Sequence, residues 1–235
     1  MKSAMTERRR IYLMRHGAVD YFGDDGTAVP PDGVELNANG REQADAAGRL
    51  FAECGIRFDA VLISGLPRTL QTAERVMAAA GQALLIDIDE QLQEIRPGRL
   101  DAIPRDEVDA AFTGVFNADA DIEQHRFLGG ESIGELLDRV LPAFDALLAR
   151  EDWRCLLMVL HGGVNRALLA RAASGGRGFL GRIEQGPGCI NIVDVGSSDM
   201  VLRAINLTPM QWLQQHERLT TMEKLLLQYR RSQES

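Results

Sequence analysis

Cysteine, histidine and aromatic residues are all scarce in this chain of 235 residues: three cysteines, four histidines and 6% Phe, Trp and Tyr. Cys54, Cys155 and Cys189 form no CxxC pair and show no metal-type spacing, and apolar residues surround them. That pattern excludes a disulfide framework and predicts buried free thiols in a reducing compartment. Two of the histidines, His125 and His216, fall in polar segments and are expected to be exposed. No HxH, HExxH or aspartate-rich motif accompanies the other two, so a metal centre lacks its usual three or more ligands, and no cofactor is expected. No run approaches the ~18 apolar residues of a membrane-spanning helix, and the N-terminus carries no apolar stretch of the signal-peptide kind. The expectation is a cytoplasmic protein without a membrane partner.

Positive charge is also in deficit. Twenty-six Lys and Arg stand against 34 Asp and Glu, a formal net charge of -8. This argues against nucleic acid and anionic membrane as partners. A small anion is compatible with it, because a few clustered arginines hold phosphate inside an acidic protein. The run Arg8-Arg9-Arg10 reads as a solvated flank of a strand.

The composition is that of a globular domain able to bury a core, with 45% hydrophobic and 26% charged residues. Short apolar runs alternate with segments of helical period. Strands are predicted at 11–14, 60–63, 84–88 and 155–160, and helices at 37–54, 68–80 and 164–173. Asn37 caps the first helix, with Ala44, Ala47, Leu50, Phe51 and Cys54 on one face. Ser132 and Glu135 form a capping box before a long amphipathic helix. Residues 190–195 and 201–205 read as a hairpin, and 209–229 as a terminal helix. The alternation implies one domain over 1–235: a three-layer α/β/α sandwich with a mostly parallel mixed sheet. The irregular stretch 91–130 reads as an insertion covering the site. A homodimer is expected on general grounds.

Two histidines stand at equivalent places. His16 follows the apolar run ending at Met14, with Arg15 between, and His161 follows Leu156 to Leu160. Glycine comes next in both cases: Gly17, and Gly162-Gly163. In open α/β sheets ligands bind beyond the carboxyl ends of strands, where glycine leaves its amide free to donate. The two imidazoles therefore meet at one crevice, each as base, metal ligand or nucleophile. The arginines favour the nucleophile. Arg15 adjoins His16, and Arg68 lies at another strand end where a helix starts. A phosphoryl group in transfer spreads charge over three oxygens, which guanidinium forks and helix N-terminal amides suit. Attack by histidine would form a phosphohistidine and divide one hard step into two.

These segments resemble the histidine phosphatase superfamily, in its phosphoglycerate mutase-like branch. The resemblance rests on Leu13-Met14-Arg15-His16-Gly17, on Leu36 to Ala44, on Ser64-Gly65-Leu66-Pro67-Arg68 with Thr69 to Ala73, on Leu92-Gln93-Glu94-Ile95 with Gly98, on Gly129-Gly130-Glu131-Ser132, and on Val159-Leu160-His161-Gly162-Gly163-Val164. It implies a phosphohistidine on His16, a phosphate pocket of Arg15, Arg68, His161 and Gly162, and Glu94 as general acid and then base. A second branch carries its acid directly after the second histidine. Here that position is Gly162, which favours Glu94. The implied activity is metal-independent hydrolysis of a small phosphorylated metabolite. The alternatives are a phosphomutase, or an inactive phosphate-binding interaction protein. Ala18, Val19 and Phe22 depart from the polar residues many members carry after the first motif.

Overall fold

The computed structural model describes residues 8–23, 27–116, 121–211, 213–215 and 217–234. At its centre is a sheet of β1 (Arg9–Arg15), β2 (Ala60–Ile63), β3 (Ile86–Ile88), β4 (Cys155–Leu160), β5 (Ile190–Val195) and β6 (Met200–Leu207). The spatial order is β3-β2-β4-β1-β5-β6. Strands β3, β2, β4 and β1 run parallel, and β5 is antiparallel to both of its neighbours.

The helices are α1 (Ala38–Glu53), α2 (Pro67–Ala79), α3 (Val108–Thr113), α4 (Ile133–Ala149), α5 (Gly162–Ser174) and α6 (Thr221–Glu234). Successive side chains of a strand point to opposite faces, so the central strands feed two cores. Tyr12, Met14, Val61, Ile63, Leu157 and Val159 pack with Ala44 and Phe51 of α1 and Val76 and Met77 of α2. Ile11, Leu13, Leu62, Leu156, Met158 and Leu160 pack with Leu136, Val140 and Phe144 of α4 and Leu168 of α5. The three-layer sandwich with a mixed, mostly parallel sheet is therefore the fold. Burial on both faces explains why these strands read as unbroken apolar runs.

Local caps agree with the sequence. The Asn37 side chain accepts from the Gly40 amide, and Ser132 with Glu135 closes both hydrogen bonds of its box. The segment 91–130 holds α3 and short 3-10 turns at Leu100–Ala102, Ile122–Gln124 and Phe127–Gly129.

Several expectations are corrected. The third strand starts at Ile86, because β2 offers pairing only from Val61 to Ile63; Leu85 is 92% exposed. The last helix starts at Thr221 instead of 209. Thr220 accepts from the Glu223 amide and its own amide donates to the Glu223 carboxylate, so the helix begins at this box. Cys189 is buried, but Cys155 is half-buried and Cys54, at the end of α1, is exposed. His125 is half-buried, while His216, Asp24 and Asp25 lie outside the described residues. The Arg8–Arg10 run is anchored by residues distant in sequence. Arg8 bridges Asp199 at 2.7 Å, Arg10 bridges Asp194 at 2.6 Å, and Arg9 lies 4.0 Å above the Trp153 ring.

Candidate active site

Parallel strands put the ends of β1, β2 and β4 on one edge of the sheet, and each delivers part of the site there. β1 ends in Arg15, followed by His16, whose amide donates to Leu160 O of β4 at 3.0 Å. β4 ends at Leu160, so His161 is the N-cap of α5, and Gly162 and Gly163 open that helix. β2 leads through Ser64 into α2, which carries Arg68 in its first turn. Four of the five predicted side chains, Arg15, His16, Arg68 and His161, are buried, and Glu94 is half-buried. The rings of His16 and His161 meet edge to face with centroids 5.3 Å apart.

Hydrogen bonding fixes the reactive atom of His16. Nδ1 lies 2.7 Å from Gly17 O, and a carbonyl only accepts, so the proton sits on Nδ1. Nε2 keeps its lone pair. The loop is held tightly: the Gly17 amide donates to Thr72 Oγ1 at 3.1 Å and the Ala18 amide to Gln43 Oε1 at 2.8 Å. A side chain at Gly17 would put its Cβ 2.4 Å from Gly40 O, so the loop and the start of α1 are packed backbone on backbone.

Around His16 lie three buried nitrogens with no partner among the described residues: Arg15 Nε, Arg68 Nε and His161 Nδ1. Their side chains are otherwise tied down. Arg15 donates to Gln185 O at 2.5 Å and to Thr221 Oγ1 at 3.1 Å. Arg68 donates to Pro31 O at 2.6 Å, and His161 Nε2 meets Ser64 Oγ at 2.7 Å. Thr69 gives its hydroxyl proton to Leu66 O and lies 3.2 Å from Ser64, which leaves Ser64 to donate to Thr69 and accept from His161. Buried polar groups are costly unless paired; the two arginine Nε–H groups are donors suited to a multivalent anion, and His161 Nδ1 joins them as a donor once that anion draws a proton onto the ring.

Glu94 is brought to the same cavity from the 91–130 segment. Both of its carboxylate oxygens lie 3.1 Å from the Gly163 amide at the start of α5. Arg139 of α4 clamps the backbone that carries it, donating to the carbonyls of Gln91, Gln93 and Glu94 at 2.7, 2.7 and 2.9 Å.

The sequence did not single out several supporting residues. Ser64 and Thr72 lie inside recognised motifs and were detectable there. Arg139 sits on a helix read only for its apolar face. Arg166, 3% exposed, donates to Gly162 O at 3.1 Å, lies 3.7 Å from Glu184, and has an unpartnered Nε. Thr221 donates to Glu184 and accepts from Arg15, so the start of α6 touches Arg15. Nothing local in the sequence marks a contact spanning that distance. No group of three or more His, Cys, Asp and Glu side chains is placed to hold a metal among the described residues.

Burial, then the charges of Arg68 and Arg15, hold the His16 pKa well below its usual value of about 6.5. Burial, then Arg68, His16 and Arg15, does the same to His161. Both rings are thus neutral in the folded protein at a pH where an unfolded histidine already takes a proton. Stability linked to them is full above pH 6.5 and falls as pH drops below it, by up to about 1.4 kcal/mol per pH unit for each ring. Urea titrations from pH 7.5 to 5 are expected to show this loss. Saturating inorganic phosphate, whose charge favours the protonated rings, is expected to reduce it. A pH-independent midpoint through that window contradicts the assignment.

The family model of the histidine phosphatase superfamily (branch 1) matches residues 11–208. The chain belongs to this superfamily. Among its relatives, a glucosyl-3-phosphoglycerate phosphatase of Mycolicibacterium vanbaalenii is 34% identical over 170 residues, 69% of this chain and 73% of that protein. A 2,3-bisphosphoglycerate-dependent phosphoglycerate mutase of Rhizobium meliloti is 32% identical over 168 residues, 68% of this chain and 77% of that protein. The structure of mycobacterial glucosyl-3-phosphoglycerate phosphatase in complex with VO3 matches with a TM-score of 0.66 at 25% identity, over 84% of this chain and 98% of that one. Histidine phosphatase membership, reached from six short motifs, thus holds over most of the chain. Among the described residues no helix is long and apolar enough to cross a membrane.

Proposed function

We propose that this histidine phosphatase hydrolyses a small phosphorylated metabolite through a phosphohistidine on His16. The observation that carries the reading is the pair of unpartnered buried donors, Arg15 Nε and Arg68 Nε, with the second imidazole of His161, beside a histidine whose free Nε2 is set by Gly17. Relatives named as phosphatases support it.

In the first step the His16 Nε2 lone pair forms a bond to phosphorus while the ester P–O bond breaks. Glu94 gives its proton to the departing oxygen, releasing the alcohol. In the second step Glu94 takes a proton from water, whose oxygen bonds phosphorus as the N–P bond breaks, releasing phosphate. Arg15, Arg68, His161 and the Gly162 amide hold the equatorial oxygens throughout. The whole chain acts as one catalytic domain, with 91–130 forming a side wall of the site. Three free thiols accord with a cytoplasmic setting.

A mutase must hold a second phosphate on its intermediate, and several cations in or near the cavity are engaged by carboxylates. Lys224 is bridged to Glu217, Arg99 to Asp101, and Arg166 faces Glu184. The deciding measurement is phosphorus NMR with 3-phosphoglycerate and 2,3-bisphosphoglycerate, in excess chelator. Release of inorganic phosphate is expected to outpace interconversion of the 2- and 3-phosphate isomers, and chelator is expected to leave the rate unchanged. Faster interconversion overturns the phosphatase reading. A rate lost to chelator and restored by a divalent ion replaces the mechanism with a metal-assisted one.

A further inference from the structure

The cavity in front of His16 is much larger than a phosphoryl group needs. Its volume is about 1080 Å³, just beyond the ~300–1,000 Å³ range of pockets that enclose drug-sized molecules. Beyond the phosphate end its wall includes Tyr21, Phe22, Phe112, Phe116, Phe127 and Leu225. These come from three separate parts of the chain: the loop after β1, the 91–130 segment and α6. They are built together. Phe22 and Phe112 both contact Tyr229 of α6, at 5.9 and 5.7 Å between ring centroids, and Phe116 stacks on Phe127 at 6.5 Å.

Of the four cations on that wall, two are matched to carboxylates. Lys224 is bridged to Glu217 and Arg166 faces Glu184 at 3.7 Å, whereas Arg96 bears on a Glu131 that Arg139 already holds through both oxygens. Arg218 donates to the carbonyls of Gln214 and Glu217. Acidic groups stand there too, with Asp20 accepting from Asn37 at 3.0 Å. An anionic leaving group would have to displace these pairings and approach Asp20, whereas apolar area meets aromatic and aliphatic surface that needs covering.

We propose that the leaving group is a bulky, uncharged and largely apolar alcohol, so that the substrate class is the phosphomonoester of such an alcohol. This rests on the phosphatase reading above. The phosphate is held by Arg15, Arg68 and His161, and the alcohol lies along the aromatic wall between the 91–130 segment and α6.

A series of n-alkyl phosphates from ethyl to octyl tests it, because leaving-group acidity stays nearly constant while buried area grows. The expected result is kcat/KM rising roughly threefold per methylene until the wall is reached, with glycerol 3-phosphate and 3-phosphoglycerate turned over more slowly than butyl phosphate. Phe22→Ser and, independently, Leu225→Ser are expected to lower the octyl-to-ethyl ratio measured within each variant. A flat series, or preference for the two polar esters, with turnover intact, overturns the leaving-group assignment and leaves the phosphatase reading standing. No turnover of any ester, p-nitrophenyl phosphate included, overturns both.

Discussion

His16→Ala is expected to lose turnover by about 10⁴–10⁶-fold while the protein stays folded. The size of the loss follows from geometry. His16 Nε2 is the one imidazole nitrogen in the site shown to keep a lone pair while its ring is fixed by a backbone carbonyl. The neighbouring His161 is tied through Nε2 to Ser64 at 2.7 Å and stands among the groups that would grip the phosphate. Rapid quench of the wild-type enzyme with a labelled ester is expected to trap an acid-labile phosphoenzyme, and the variant none. Circular dichroism separates lost chemistry from lost fold. Label retained on His16→Ala would falsify the nucleophile assignment, whatever the residual activity.

Glu94→Gln is expected to be the second large loss, and its size is expected to depend on the ester. Glutamine is nearly isosteric and its Oε1 still accepts from the Gly163 amide, so the segment clamped by Arg139 stays in place. What disappears is the transferable proton. An alkoxide is a poor leaving group and needs that proton in the transition state, so alkyl esters are expected to slow by roughly 10²–10⁴-fold in the phosphorylation step. A nitrophenolate departs without it, and its phosphorylation step is expected to slow far less. Single-turnover rates for the two esters make the comparison. Equal losses point to a different proton donor.

Four of the five candidate site residues were legible because they sit where a strand ends, and strand ends can be read locally; Glu94 came from the family resemblance alone. Leu13 to Gly17 and Val159 to Gly163 each join an apolar run to a histidine and a glycine, so both imidazoles could be placed on one edge of the sheet before their 5.3 Å separation was visible. Arg68 was readable for the same reason. The capping boxes at Ser132 and Thr220 have equal local signatures, yet only the first was recognised. The second was obscured by the mixed polar and apolar stretch before it, which reads as an early helical turn. Cys54 was misplaced because helical periodicity does not reveal where a helix runs out of core.

From the sequence alone came the order of elements, the doubly covered sheet, the superfamily and the identity of His16, Arg15, Arg68, Glu94 and His161. All of these are written in patterns a few residues long, because strand ends, caps and phosphate-binding glycines are local devices. Tertiary structure alone decided how those residues are held and what surrounds them. It placed the proton of His16 on Nδ1, set the Ser64–Thr69 pair behind His161, clamped Glu94 through Arg139, and carried Thr221 from the far end of the chain onto Arg15. It also matched Arg166 and Lys224 of the wall to carboxylates and left aromatic surface between the 91–130 segment and α6. Contacts between residues tens to hundreds of positions apart depend on how the layers pack, and no short stretch of sequence encodes that packing.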